Sequence, residues 1–227
     1  MATVAISLPD RISSALGWRD QHPPDTLPTG IQSMDALVGG APRGRITEIA
    51  GPASSGRTTI LHSLLAEAGQ RGEYCAIVDT TDSFDPRTAS EAGARLDTLV
   101  WVRCGGNVEH AIRSADLLLH SGGFGVVALD LCDLAPQAAR RIPLSYWYRF
   151  RRAVETTQTV MLVLSRDPQA KSCASVLAEV EREETDLAAG PAAQSPFRLL
   201  RGARFRVVAR RPQRPHAAYF EANSAHA

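Results

Sequence analysis

Lysine is almost missing from this chain. Of 25 basic residues only Lys171 is a lysine, so 227 residues carry 24 arginines. Alanine is abundant as well, and the pair of biases reads as genome composition, not as a binding signature. Net charge is also lacking: 25 basic residues face 24 acidic ones, for +1. That excludes a global pull toward nucleic acid, and any such affinity has to be local. Aromatics make up only 6%. The four cysteines, Cys75, Cys104, Cys132 and Cys173, are widely spaced and form no C-x-x-C pair. Three of them fall in apolar strand-like runs, which argues against zinc ligation and disulfides and predicts reduced core thiols. No run approaches the roughly 20 apolar residues of a membrane span. The N-terminus has no apolar run of signal length either, so the sequence predicts a cytoplasmic protein without a membrane partner.

What is present suits one sizeable core. Apolar residues are 44% and charged residues 22%, the balance of a globular chain, and the length is short for two ordinary domains. The expected organisation is an N-terminal arm or linker over 1–26, one domain over 27–211 and a flexible, proline-rich tail over 212–227. Within the arm, Arg11 to Leu16 has the pattern of a short helix.

The most informative stretch is Gly51-Pro-Ala-Ser54-Ser55-Gly56-Arg57-Thr58-Thr59. Its spacing is that of a phosphate-binding loop, G-x-x-x-x-G-K-[ST], with Arg57 in the lysine position. Before it runs the β-prone segment Arg45 to Ile49. After it, Ile60, Leu61, Leu64 and Leu65 make an apolar helix face. Glycines let such a loop turn its N–H groups inward, and the following helix adds its positive end, which together form an anion cradle. In an active enzyme a lysine reaches the terminal phosphates and a hydroxyl, here Thr58, holds Mg²⁺. A planar guanidinium keeps the charge but not the compact shape. The plain structural alternative is a tight turn whose serines and threonines cap a helix.

Downstream, Tyr74–Asp79 and Thr159–Leu164 read as buried strands, Gly125–Leu131 as an apolar strand and Leu99–Val102 as a further strand, and they alternate with helical patterns at Arg87–Ala94, Asn107–His120 and Ile142–Gln158. This order predicts a mostly parallel, doubly wound α/β sheet with helices on both faces and its ligand site at the carboxyl ends of the strands. Asp130 closes an apolar strand in the manner of a Walker B acid, which would hold the Mg²⁺ shell opposite Thr58. Trp147, Phe150 and Val154 share one helical face and Arg149 and Arg152 another, the pattern of a packed helix with a solvated side. Arg204 to Arg210 is strand-like and is expected to pair as a C-terminal hairpin with Ala178 to Thr185, with opposite charges across the ladder. Gly190 to Pro196 reads as a loop. Arg140, Arg141, Arg204, Arg206, Arg210 and Arg211 are the candidate contacts for DNA or an acidic partner.

In order and spacing, Thr29-Gly30 with Asp35, Gly44–Ile49, Gly51–Thr59, Val78-Asp79 with Asp85-Pro86, and the Asp130 strand resemble the core of the bacterial RecA recombinases. The resemblance covers about Leu27 to Arg211 and implies a RecA-like P-loop fold with ATP and Mg²⁺ as the family's ligands. It also marks departures. The family carries a water-activating glutamate where this chain has Thr81, and a nucleotide-sensing glutamine where it has Arg166. Stretches 133–145 and 167–176, which match the family's DNA-binding loops, look shortened, and nothing here matches its separate C-terminal domain.

The altered loop and the run Gly122-Gly-Phe-Gly-Val-Val-Ala-Leu-Asp130-Leu131 are similar to the ImuA family, RecA-like accessory factors of error-prone translesion synthesis. That likeness implies a DNA-damage-induced scaffold, working in the SOS response and mutagenesis, with an ImuB-like polymerase adaptor, the RecA recombinase and an error-prone polymerase as partners. On this reading no residue is catalytic and no cofactor is required. Two other readings stay open. One is a DNA-stimulated ATPase using Arg57, with Asp79 or Asp82 in the role of the glutamate. The other is a non-catalytic DNA-binding module built on Arg140, Arg141 and the arginines of the last hairpin.

Overall fold

The continuous apolar runs become strands covered on both faces, while Leu99–Arg103, whose residues are only partly buried, takes the edge of the sheet. The computed structural model describes residues 25–187 and 200–223. The helix expected at 11–16 and the loop expected at 190–196 lie outside them. Strands β3 (Ile46–Ala50), β4 (Tyr74–Asp79), β5 (Leu99–Arg103), β6 (Phe124–Asp130) and β7 (Val160–Ser165) pair in parallel. Strand β8 (Ala174–Leu187) joins β3 in parallel, and β9 (Leu200–Arg211) and β10 (Gln213–Asn223) then add antiparallel. The order across the eight-stranded sheet is β10-β9-β8-β3-β7-β6-β4-β5. A separate two-stranded pair joins β1 (Thr26–Leu27) to β2 (Ala41–Pro42).

Strand alternation splits the interior into two cores. Ile49, Ile77, Val126, Ala128 and Leu162 face one side, where α1 (Gln32–Val38), α2 (Arg57–Gln70) and α3 (Pro86–Glu91) pack. Ile46, Val78, Val127, Leu129 and Val163 face the other, under α4 (Val108–Ser121) and α6 (Leu144–Glu155). Helix starts follow the sequence chemistry. Asp85 accepts from Arg87 N with Pro86 in the first turn of α3, and Asn107 accepts from His110 N at the start of α4. Trp147, Phe150 and Val154 are all buried, as their shared face requires.

Two expectations change. A short helix, α5 (Pro136–Arg140), occupies part of the stretch read as loop. More consequentially, 213–223 is a strand and not a loose tail. Ala218 and Phe220 are buried while Tyr219 and Glu221 face outward, an alternation that the neighbouring prolines obscured. The expected hairpin is therefore a three-stranded ribbon, and the core continues past residue 211. Among the described residues no helix is long and apolar enough to cross a membrane.

Candidate functional site

The glycine loop sits at the carboxyl edge of the sheet, where parallel strands end and helices begin. Ile49 in β3 lies opposite Leu164 in β7, and Leu164 lies opposite Asp130 in β6. Gly51–Thr59 and Asp130 thus share one edge with β7 between them. Asp79 is in register with Asp130 across β4 and β6.

Loop geometry matches an anion cradle. Ser54 and Gly56 have left-handed backbones, at φ 57° and 92°, and Gly56 caps the start of α2. Among the described residues no backbone carbonyl takes the N–H groups of Ser54 or Gly56. The Ser55 hydroxyl is buried and likewise has no hydrogen-bond partner. A phosphate group fits this set of donors. Thr58 is exposed and Thr59 half-buried.

Both loop glycines are required by neighbours from the ribbon. A Cβ on Gly51 would stand 2.1 Å from the Val180 carbonyl oxygen in β8. One on Gly56 would stand 2.9 Å from the Phe205 ring and 3.0 Å from Phe220. Those two rings are stacked at 5.0 Å on β9 and β10, so the strand missing from the sequence reading helps to cover the loop. Beside it lies a crevice of about 280 Å³ bordered by Gly51, Pro52, Arg166, Glu179, Arg206 and Arg210.

Arg57 does not extend over the cradle. It is only 5% exposed, and its guanidinium donates to the Ser165 carbonyl oxygen at 2.7 Å, at the end of β7. The same oxygen receives Gly51 N at 3.1 Å. Ser165 Oγ in turn donates to Glu48 at 3.0 Å, and Glu48 also accepts from Gln169 N at 2.6 Å and Ala170 N at 3.0 Å. Glu48 is fully buried, and burial pushes its carboxyl pKa up against those three donors. Sequence reading passed over Glu48. The signal was an acid in the middle of a segment that is otherwise buried along its length, Ile46–Ala50.

The acids are already engaged. Asp130 accepts from Cys132 N at 2.8 Å, and burial raises its pKa with Asp79 adding in the same direction. Asp79 accepts from Ser83 N, Phe84 N and Trp101 Nε1 at 2.9–3.1 Å. Asp82 holds Arg103 at 3.0 Å and Gly105 N at 3.4 Å. Thr81, half-buried, offers only a hydroxyl, 3.4 Å from Ser83 Oγ.

The candidate arginines separate into two sets. On the ribbon, Arg210, Arg206 and Arg204 pair with Glu179, Glu181 and Glu183 at 2.8, 2.7 and 3.6 Å. Arg211 donates to the carbonyls of Lys171 and Ala174. Arg140 and Arg141 are exposed, and among the described residues neither takes part in an ion pair.

A glycine loop opening a helix beneath a mostly parallel sheet, with an acid-ended strand on the same edge, defines a P-loop α/β domain. The RecA N-terminal domain family matches residues 11–141, more than half of the chain, and the chain belongs to that family. It is 42% identical to the RecA protein of Methylococcus capsulatus over 117 residues, half of this chain and 33% of that protein. It is 38% identical to RecA of Rickettsia bellii over 126 residues, 54% of this chain and 36% of the relative. The matched region is thus about a third of the length of those relatives. The crystal structure of the RadB recombinase shares the fold, with a TM-score of 0.61 and 17% identity over 87% of this chain and 94% of that one.

Proposed function

We propose that this chain is a RecA-like scaffold of an error-prone translesion synthesis assembly, docking on the RecA recombinase and on an ImuB-like polymerase adaptor that brings an error-prone polymerase. The observation that carries this reading is the withdrawal of Arg57 to the Ser165 carbonyl. Phosphoryl transfer depends on a cation at the terminal phosphates and a group that positions the attacking water. Here the cation of the loop is fastened elsewhere, and Thr81 stands where a base is needed. Asp79 and Asp82, the carboxylates nearest that position in sequence, already hold backbone and side-chain donors. The cradle keeps its N–H groups, so ATP is bound through Gly51, Ser54, Ser55, Gly56 and Thr59, with Thr58 and Asp130 as the groups for Mg²⁺, and works as a docking signal and not as fuel.

Calorimetry with ATP and Mg²⁺ beside a phosphate-release assay, with and without single-stranded DNA, tests the first half. The expected outcome is ATP binding without turnover; no binding would make the loop a structural remnant and remove the docking signal while leaving the scaffold. DNA-stimulated turnover that Asp130→Ala abolishes would make the chain a motor and overturn the reading. A pull-down that finds no contact with RecA or with the adaptor would remove the scaffold role.

One observation favours a second reading, a DNA-binding module. Arg140 and Arg141 are exposed and outside any ion pair among the described residues, whereas the ribbon arginines face glutamates. On that reading affinity falls steeply with salt and is lost in the Arg140→Ala/Arg141→Ala variant, with the ribbon arginines contributing little.

A further inference from the structure

At one end of the eight-stranded sheet lies β10, and among the described residues no strand covers its outer edge. Such edges are usually blunted by a bulge, a proline or several charges. In β10 the bulge lies between Gln213 and Ala217, and Pro215 falls within it. From Ala217 to Asn223 the strand runs in unbroken register with β9, seven residues without proline and with Glu221 as their one charge. Ala218 and Phe220 face inward, whereas Tyr219 is 39% exposed and Glu221 lies in solvent.

A groove of about 730 Å³ follows the first part of this strand. Ala36 and Leu37 of α1 form one wall, and Pro215 to Tyr219 form the other. Neighbouring strand residues point to opposite faces, so a groove that touches a consecutive run opens on the edge of the strand and not over one face. There it offers backbone N–H and C=O groups beside small apolar side chains, a seat for another strand.

We infer that this edge pairs antiparallel with the same edge of a second copy of the chain, across a two-fold axis at Phe220. Phe220 is the midpoint of Ala217–Asn223, so this centre lets the whole regular stretch pair with itself. Tyr219 then lies opposite Glu221 of the second copy, Ala218 opposite Ala222, and Ala217 opposite Asn223. The end of the incoming strand, Ala222 and Asn223, enters the groove beside α1. Charge favours the same centre. Within one copy Glu181 holds Arg206 at 2.7 Å, Arg206 is in register with Tyr219, and Arg204 is in register with Glu221. Joined at Phe220, the outer face reads Glu181, Arg206 and Tyr219, then Glu221 and Arg204 of the second copy, with no like charges side by side. Centring on Glu221 would oppose two carboxylates. Centring on Tyr219 shortens the ladder and sets Glu221 against Ala217, and centring on Ala218 sets it against Pro215, which has no N–H to give. A foreign strand would share the backbone pairing but not this match of the strand with itself. The inference is independent of what the P-loop binds.

Sedimentation of the full chain over a range of concentrations is the test. A reversible dimer is expected. Ala36→Glu, which puts a carboxylate in the groove from an exposed position on α1, and Glu221→Arg, which reverses the one charge of the edge, are each expected to weaken it at least about tenfold. Val100→Lys, at the other end of the sheet on β5, is expected to leave it unchanged. Thermal unfolding of each variant is recorded, and Ala36→Glu, which lies outside the strands, decides the matter if Glu221→Arg melts early. Register is read by mild oxidation. Tyr219→Cys mixed with Glu221→Cys is expected to form a linked dimer, because opposite residues come within disulfide reach, whereas either variant alone places its thiols on a diagonal and links markedly less. A chain that stays monomeric at every concentration overturns the inference. So does a dimer that ignores Ala36→Glu, one that Val100→Lys abolishes, or linkage of Tyr219→Cys alone as readily as of the mixture.

Discussion

Arg57 and Glu48 meet at Ser165, one through its carbonyl and one through its hydroxyl, so a single residue at the end of β7 links the glycine loop to the loop that follows. Arg57→Ala is expected to lower stability by roughly 1.5–3 kcal/mol, the range for a hydrogen bond from a charged donor. Urea unfolding checks it. Arg57→Lys, whose shorter stem and compact ammonium suit the cradle better than the carbonyl, is expected to raise ATP affinity in calorimetry while costing some of that stability. His62 in α2 gives a pH test. It is buried, its Nε2 has no partner, and burial holds its pKa below the usual 6.5, with Asp85 opposing weakly. The unfolded chain then takes up a proton that the folded chain refuses, so stability is present above about pH 6.5 and falls as pH drops toward the depressed value. Glu48 and Asp130, with raised values, work in the other direction, losing stability as pH rises past the ordinary carboxylate range. The difference in urea midpoint between wild type and His62→Phe across pH 5–8 isolates the histidine, and a flat difference would refute the assignment.

At the scale of elements, most of the sheet was legible because parallel strands buried on both faces announce themselves as continuous apolar runs. The P-loop helix was legible for the same reason, through its apolar face and its glycine entry. β10 was not, because Arg214, Pro215 and His216 interrupt the pattern and only Ala218 and Phe220 mark the buried side. Its contribution is nonetheless structural. Phe220→Ala is expected to cost roughly 3–5 kcal/mol, as for other buried phenylalanines, and removal of β10 should leave Phe205, Gly56 and α1 uncovered. Thermal unfolding of a chain ending at residue 211 checks this: a melting temperature equal to that of the full chain would return the segment to the status of a tail.

For the whole molecule, a net charge of +1 hides a strong local separation. The ribbon faces Glu179, Glu181 and Glu183 with Arg210, Arg206 and Arg204, so its arginines are screened by the chain's own acids. These pairs are exposed and individually contribute little to stability, but they govern what the surface presents. Wild type is expected to elute from heparin at low salt. The triple variant Glu179→Gln/Glu181→Gln/Glu183→Gln should elute markedly later, because it unmasks the three arginines without altering the fold.

The sequence alone determined the class of the molecule. The alternation of strands and helices along the chain, the glycine spacing at Gly51 and Gly56, the acid at the end of the Asp130 strand and the charge match across β8 and β9 all follow from local periodicity and composition. Tertiary structure decided the state of the site. Which way Arg57 points depends on a carbonyl 108 residues away, at the end of a strand that lies beside β3 only after the sheet has wound. The cover over Gly56 comes from rings on β9 and β10, and α4 packs beside α6 although the two helices are distant in sequence. No window of sequence contains those contacts, since each joins groups that the chain brings together only on folding.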